Sequence, residues 1–92
     1  MEFDKDLGHS FTPTAWGQYV YWQTQDKKTF KKINALILDV LRNGVLGGEG
    51  KPEKLKHIER EWSRRIDKFN RLTYTVKDGQ LIITACRGHY ED

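Results

Sequence analysis

The 92-residue sequence has few residues that support disulfide, thiol or metal chemistry, and this scarcity limits what the chain does. Its single cysteine, Cys86, excludes an internal disulfide, and its apolar surroundings predict a small buried side chain. The sequence contains no CxxC or HExxH motif that would hold a metal ion. We therefore expect neither a metal nor another cofactor.

Long hydrophobic runs are also missing, since no stretch approaches the roughly 18 apolar residues of a membrane span. Glu2, Asp4 and Asp6 stand where a signal peptide carries lysines, and no apolar segment follows them. We therefore expect a cytoplasmic protein without membrane association. Residues 1–10 are polar and aperiodic and are expected to be a flexible leader, and residues 11–92 to form one domain.

Acidic residues are scarce in the body of the chain. From Lys27 to Arg87 the sequence has fifteen Lys and Arg but only seven Asp and Glu, a balance of +8 against +3 for the whole chain. Such a basic body favours polyanionic partners, namely nucleic acid, the ribosome or an acidic protein. A basic surface that is merely solvated is the alternative.

The clearest structural pattern lies near the C-terminus. Two runs rich in β-branched and aromatic residues, Arg71–Val76 and Leu81–Tyr90, flank an Asp78-Gly79 pair that is typical of a tight hairpin turn. Before them, Trp62–Asp67 alternates like a strand and puts Arg65 on the open face. The same alternation in the next strand predicts Leu72, Tyr74 and Val76 in the core, with Arg71, Thr73 and Thr75 facing outward.

Two helices are predicted before these strands. Thr12 caps the first, over Pro13–Thr24, whose apolar stripe is Trp16, Tyr19 and Val20. Asp26 caps the second, over Lys27–Arg42, which has the stripe Phe30, Ile33, Ile37, Val40 and Leu41 and ends at Asn43-Gly44. The prediction is an α+β fold with two N-terminal helices packed on a small, mostly antiparallel sheet.

A glycine-rich loop after the second helix leads to Glu53, the first of several side chains suited to RNA cleavage without a metal. In that reaction a base takes the 2′-hydroxyl proton, arginines stabilise the phosphoryl charge, and an acid protonates the departing 5′-oxygen. Glutamate suits the base and histidine the acid, while each residue taken alone is a weak signal, because such side chains are more often simply solvated. The candidates are Glu53, Arg65, Arg71, His89 and Tyr90, with Lys56 or His57 adding charge.

From Trp16 to Tyr90 the chain resembles the YoeB/Txe branch of the RelE superfamily of bacterial toxins. Members have a small RelE-like, microbial-ribonuclease-like fold, and they cleave messenger RNA in the A site of the 30S subunit. An acidic antitoxin of the YefM/Axe kind neutralises them, and operator DNA is bound only by the toxin–antitoxin complex. The segments that carry the resemblance are YWQTQDKKTFKKIN, GKPEKLKH, WSRRI, NRLTY and ACRGHY.

The resemblance implies a role for each matched residue. Glu53 is expected to be the general base, Arg71 the transition-state arginine and His89 the general acid. Arg65 and Tyr90 are expected to bind the phosphate, with Lys56 and His57 in support. Cleavage would leave a 2′,3′-cyclic phosphate, or the 3′-phosphate after its hydrolysis, and a 5′-hydroxyl.

Three departures from the family pattern stand out. The segment HIERE replaces a short glycine-containing turn before WSRR, Glu91 and Asp92 follow the usual terminal tyrosine, and the leader is longer. The resemblance and the aromatic surplus of the first helix also predict a homodimer. The alternative function is a non-catalytic module that binds the ribosome, or binds operator DNA together with its antitoxin; a third is a partner that chiefly folds a disordered acidic antitoxin segment.

Overall fold

The C-terminal hairpin forms the centre of the sheet in a computed structural model, which describes residues 8–55 and 61–88. Strands β4 (Arg71–Lys77) and β5 (Gln80–Ala85) are antiparallel. Asp78 and Gly79 have φ values of 54° and 75°, which a primed two-residue turn requires, so the predicted hairpin is confirmed.

The second strand of that hairpin was predicted too long. β5 ends at Ala85, and the chain bends over residues 87 and 88. The physical reason is that the N–H groups of Cys86 and Arg87 donate to the side-chain oxygen of Gln18 rather than to a neighbouring strand. His89 and Tyr90, also included in that prediction, lie outside the described residues.

The five-stranded sheet has the order β1-β5-β4-β3-β2, where β1 is His9–Phe11, β2 is Glu53–Lys54 and β3 is Glu61–Arg65. Among the strands in residues 8–55 and 61–88, only β1 and β5 pair in parallel, so the prediction of a mostly antiparallel sheet is confirmed. β1 corrects the leader boundary, because residues 9 and 10 belong to the sheet; residues 1–7 lie outside the described chain.

Helix α1 (Pro13–Gln25) begins as predicted, with Thr12 accepting a hydrogen bond from the Ala15 N–H and proline in the first turn. The predicted apolar stripe is wrong in part, since Trp16 and Val20 are 54% and 39% exposed. Ala15 is buried instead, because a small side chain lets the helix approach the sheet closely. The Trp16 ring makes an edge contact with Phe11 and stacks on Tyr19.

Helix α2 (Lys27–Asn43) is capped by Asp26, whose carboxylate accepts from the N–H groups of Lys28 and Thr29. It ends at Gly44, which has a φ of 85°. The predicted stripe is confirmed, with three members fully covered and Phe30 and Leu41 half-buried. The stripe also includes Leu36, so the buried residues of this helix are Thr29, Ile33, Leu36, Ile37 and Val40.

The core lies between the two helices and one face of the sheet, where Leu72, Tyr74, Leu81 and Ile83 have no exposed surface. Cys86 is also fully buried, which confirms the sequence prediction. Burial raises the pKa of its thiol to about 12, so the sulfur is neutral at physiological pH. Within the described part of the chain, neither helix is long and apolar enough to cross a membrane.

Candidate active site

Three of the predicted site residues share the sheet face that lies away from the helices. In the β2–β3–β4 ladder, Glu53 stands opposite Ser63, which in turn stands opposite Thr73. Two residues along these strands, Arg65 stands directly opposite Arg71. Because strand side chains alternate between faces, Glu53, Arg65 and Arg71 all project from the same face.

The central feature of this face is an ion pair between Glu53 and Arg71. A guanidinium nitrogen of Arg71 lies 3.0 Å from the Glu53 carboxylate. The Arg71 side chain is 11% exposed, whereas that of Glu53 is 52% exposed. A covered cation thus sits beneath a carboxylate that remains accessible to a ligand.

Arg71 and Thr73 lie on the outward face of β4, as predicted, and Leu72 lies on the core face. Both outward side chains are nevertheless buried. Both side chains contact a neighbouring strand, since Arg71 pairs with Glu53 of β2 and the Thr73 hydroxyl is hydrogen-bonded to that of Thr84 in β5. The Arg71 Nε–H is buried and has no hydrogen-bond partner among residues 8–55 and 61–88. Buried donors are seldom left unpaired, so this nitrogen is a ready donor for an anionic ligand.

Arg65 is exposed, as predicted. Directly opposite strand positions hold their Cβ atoms about 4.5–5.5 Å apart, and like charges at such positions are unfavourable. Two arginines paired in this way are typical of a surface that binds an anion, which relieves their repulsion. Arg65 and Arg71 therefore place two guanidinium groups on the sheet face that carries Glu53.

The loop that carries Glu53 is held by Arg64, the neighbour of Arg65 on the opposite face of β3. Arg64 is fully buried, and each of its five N–H donors has an acceptor. Nε donates to the Tyr74 hydroxyl at 3.1 Å, and one terminal nitrogen donates to Asp39 and, at 2.9 Å, to the Glu49 carbonyl. The other donates to the carbonyls of Gly44, at 2.8 Å, and Gly47.

Asp39 supplies the negative charge that balances Arg64. Desolvation by itself raises the pKa of Asp39, but the hydrogen bonds from the Glu49 N–H, Arg64 and Asn43 outweigh it and hold the pKa below its ordinary value. The Tyr74 hydroxyl completes the network by donating to the Val45 carbonyl at 2.6 Å. Arg64 is therefore a structural cation, whereas Arg65 is exposed on the opposite face of the strand.

The glycines of the loop are required by this close packing. Gly48 has a φ of 83°, and a Cβ there would lie 1.8 Å from an oxygen of Asp39. At Gly50 a Cβ would lie 2.8 Å from a methyl carbon of Leu36, and the Gly50 carbonyl accepts from the Arg65 N–H at 2.6 Å. The loop thus passes from the Arg64 network directly into β2, where Glu53 begins the strand.

The C-terminal end of the described chain meets the same site. The Gly88 carbonyl accepts from the Arg71 backbone N–H at 2.9 Å, and the Gly88 N–H donates to the side chain of Asn70 at 2.9 Å. Four predicted site residues lie outside the described residues, namely Lys56, His57, His89 and Tyr90.

Sequence reasoning missed three contributors to this site. The burial of Arg64 was signalled by its alternation with Trp62 and Ile66, which placed it on the core face. Asn70, which holds Gly88, lies in a predicted turn that gave no sign of the contact. Ser63 is fully buried between Glu53 and Thr73 and has no distinguishing motif; its hydroxyl oxygen has no hydrogen-bond partner within the described part of the chain.

Comparison with known proteins places this arrangement in one family. Residues 11–90 match a family described as "YoeB-like toxin of bacterial type II toxin-antitoxin system". The chain is 52% identical over 77 residues to toxin YoeB of Escherichia coli strain K12, an alignment that covers 83% of this chain and 90% of the relative.

Solved structures agree with the sequence comparison. A YoeB dimer from Staphylococcus aureus superimposes with a TM-score of 0.85 at 47% identity, covering 91% of this chain and 98% of that one. A chain of the heterotetrameric YoeB–YefM complex from the same organism gives a TM-score of 0.82 at 44% identity, with coverages of 98% and 100%. This chain therefore belongs to the YoeB family of toxins from bacterial type II toxin–antitoxin systems.

Proposed function

We propose that this chain is a ribosome-dependent endoribonuclease that cleaves messenger RNA in the A site and thereby inhibits translation. The observation that carries the proposal is the Glu53–Arg71 pair at 3.0 Å, with Arg65 directly opposite Arg71 on the same face. A carboxylate and two arginines on one sheet face offer a base and a charge stabiliser for attack by the 2′-hydroxyl on a phosphodiester.

In the proposed reaction, Glu53 takes the proton of the RNA 2′-hydroxyl as that oxygen attacks the adjacent phosphorus. Arg71 donates from its buried Nε and its terminal nitrogens to the phosphoryl oxygens as their charge grows, and Arg65 binds the phosphate from the open side. The bond from phosphorus to the 5′-oxygen breaks, and the departing oxygen receives a proton. The products are a 2′,3′-cyclic phosphate and a 5′-hydroxyl.

His89 is the proposed proton donor to the 5′-oxygen. His89 directly follows Gly88 in the chain. The Gly88 carbonyl accepts a hydrogen bond from the Arg71 backbone N–H, so the residue before His89 lies next to Arg71. Tyr90, Lys56 and His57 are proposed to help bind the phosphate, as the family resemblance implies. No metal takes part in this scheme.

The test of this function is a messenger with a single 2′-deoxyribose at the cut position, presented in programmed ribosomes. Cleavage is expected to fall to background, because the attacking oxygen is missing, while the all-ribose messenger is cut. The products should be resolved by mass as a 2′,3′-cyclic phosphate or its 3′-phosphate and a 5′-hydroxyl. Undiminished cleavage of the deoxy substrate would rule out the 2′-hydroxyl mechanism. Inhibition of translation without any cleavage would instead favour a ribosome-binding module.

We also propose that this chain acts in the cytoplasm and is neutralised by an acidic YefM/Axe-like antitoxin, with which it binds operator DNA. The S. aureus relative forms a heterotetramer with YefM. The balance of +8 between Lys27 and Arg87 supports an acidic partner.

A homodimer is the proposed assembly of the free toxin. The S. aureus relative is a dimer, and Trp16 and Val20 leave an apolar strip exposed on α1. Light scattering at tens of micromolar is expected to give twice the 10.8 kDa mass of the chain. The mass of a single chain at that concentration would contradict the dimer.

A further inference from the structure

Side chains of helix α1 contact Cys86 and Arg87, which precede the C-terminal tail that carries His89. The Gln18 side-chain oxygen accepts from the Cys86 N–H at 2.7 Å and from the Arg87 N–H at 3.2 Å. One turn further along, the Trp22 indole N–H donates to the Cys86 carbonyl at 2.9 Å. The Arg87 guanidinium carbon lies 3.8 Å from the centre of the Tyr21 ring, within cation–π distance.

The contacts with Gln18 provide a hydrogen-bond acceptor for the backbone N–H groups of Cys86 and Arg87, which follow the end of β5. After β5 ends at Ala85, two consecutive N–H groups require acceptors, and Gln18 provides one oxygen for both. The opposite side of the segment is held at Gly88 by Asn70 and the Arg71 backbone. The residues before the tail are therefore fixed from two directions, by α1 and by the start of β4.

Building on the proposed function, we propose that Gln18 is a positioning residue for the cleavage reaction, which sets where the His89-bearing tail starts relative to Arg71. Gln18 itself touches no reacting atom. Its effect passes through the backbone of Cys86 and Arg87 to Gly88, the residue that contacts Arg71. A general acid misplaced by about 1 Å loses on the order of a hundredfold in rate.

The experiment compares Gln18→Leu with the unsubstituted chain in a single-turnover cleavage assay on programmed ribosomes. Leucine keeps the size and helix propensity of glutamine but removes the oxygen. The expected result is a drop of about tenfold to a hundredfold in the cleavage rate, with ribosome affinity unchanged within about twofold. Amide exchange at Cys86 and Arg87 is expected to quicken at least about tenfold, because both N–H groups lose their acceptor.

Two further variants separate positioning from a merely structural effect. Gln18→Glu keeps an oxygen that accepts from both N–H groups and is expected to restore the rate. Gln23→Leu makes the same replacement at an exposed position of α1 and is expected to leave the rate unchanged.

The outcomes distinguish this inference from the function on which it rests. Cleavage by Gln18→Leu within about twofold of the unsubstituted chain would overturn the role of Gln18 and leave the proposed nuclease intact. A rate loss matched by an equal loss of ribosome binding would overturn it as well. No cleavage by the unsubstituted chain would overturn the proposed function and the inference together.

Discussion

Glu53→Gln is expected to lower the rate of messenger cleavage by about 10²- to 10⁴-fold, because the amide cannot take the proton of the 2′-hydroxyl. Fold and stability should change little. The Glu53 side chain is 52% exposed, so solvent screens much of its attraction to Arg71, which is only 11% exposed. The glutamine side-chain oxygen can still accept from Arg71. The measurement is single-turnover cleavage on programmed ribosomes, with thermal unfolding recorded on the same samples.

The matched control for Glu53 is Glu49→Gln. Glu49 is an exposed acid in the same loop, and its contacts with Arg64 and Asp39 are made by the backbone, so the control removes the same charge without touching the base. It should cleave within about threefold of the unsubstituted chain. A comparable loss of cleavage rate in both variants would show that the effect comes from the charge of the loop. Full activity of Glu53→Gln would show that the Glu53 carboxylate is not the base.

The second large effect is expected in stability, at Arg64. Arg64→Met leaves Asp39, the Tyr74 hydroxyl and three backbone carbonyls without their donor, and breaking a buried ion pair in this way costs about 3–5 kcal/mol. In a domain of this size each kcal/mol corresponds to about 4–8 °C in the melting temperature. The melting temperature should therefore fall by at least about 12 °C, as measured by calorimetry or circular dichroism.

Arg65→Met, at the adjacent position, is the control for Arg64. This side chain is exposed, so its replacement should change the free energy of unfolding by less than about 1 kcal/mol. Cleavage should nevertheless fall, because the phosphate loses one of its two guanidinium groups. Equal stability losses at the two positions would contradict the division into a structural and a ligand-binding arginine.

The sequence predicted the elements whose signals are local. The Asp78-Gly79 turn, the caps at Thr12 and Asp26 and the stripe of α2 depend on neighbouring residues, and the structure confirms them. The buried face of α1 depends on how closely the helix approaches the sheet, and the sequence does not encode that distance locally. Trp16 was therefore assigned to the core, which Ala15 occupies instead.

The candidate site was predicted only in part, because some of its features depend on contacts between residues that are distant in the sequence. Alternation placed Arg65 and Arg71 on one face, and the family resemblance singled out Glu53. What the sequence could not supply was the contact between Glu53 and Arg71, which are 18 positions apart, or the burial of Arg71. The wrapping of the glycine-rich loop around Arg64 likewise depends on residues from α2, β3 and β4 that meet only in the folded chain.

The attachment of the C-terminal segment to α1 has a consequence for biosynthesis. Gln18 and Cys86 are 68 positions apart, and the Thr12 N–H donates to the Ile83 carbonyl, so the first helix gains these contacts only when the last strand has been made. Contacts between positions so far apart are slow to form. A nascent or prematurely terminated chain that lacks the final strand therefore cannot make the hydrogen bonds that tie α1 to the C-terminal segment.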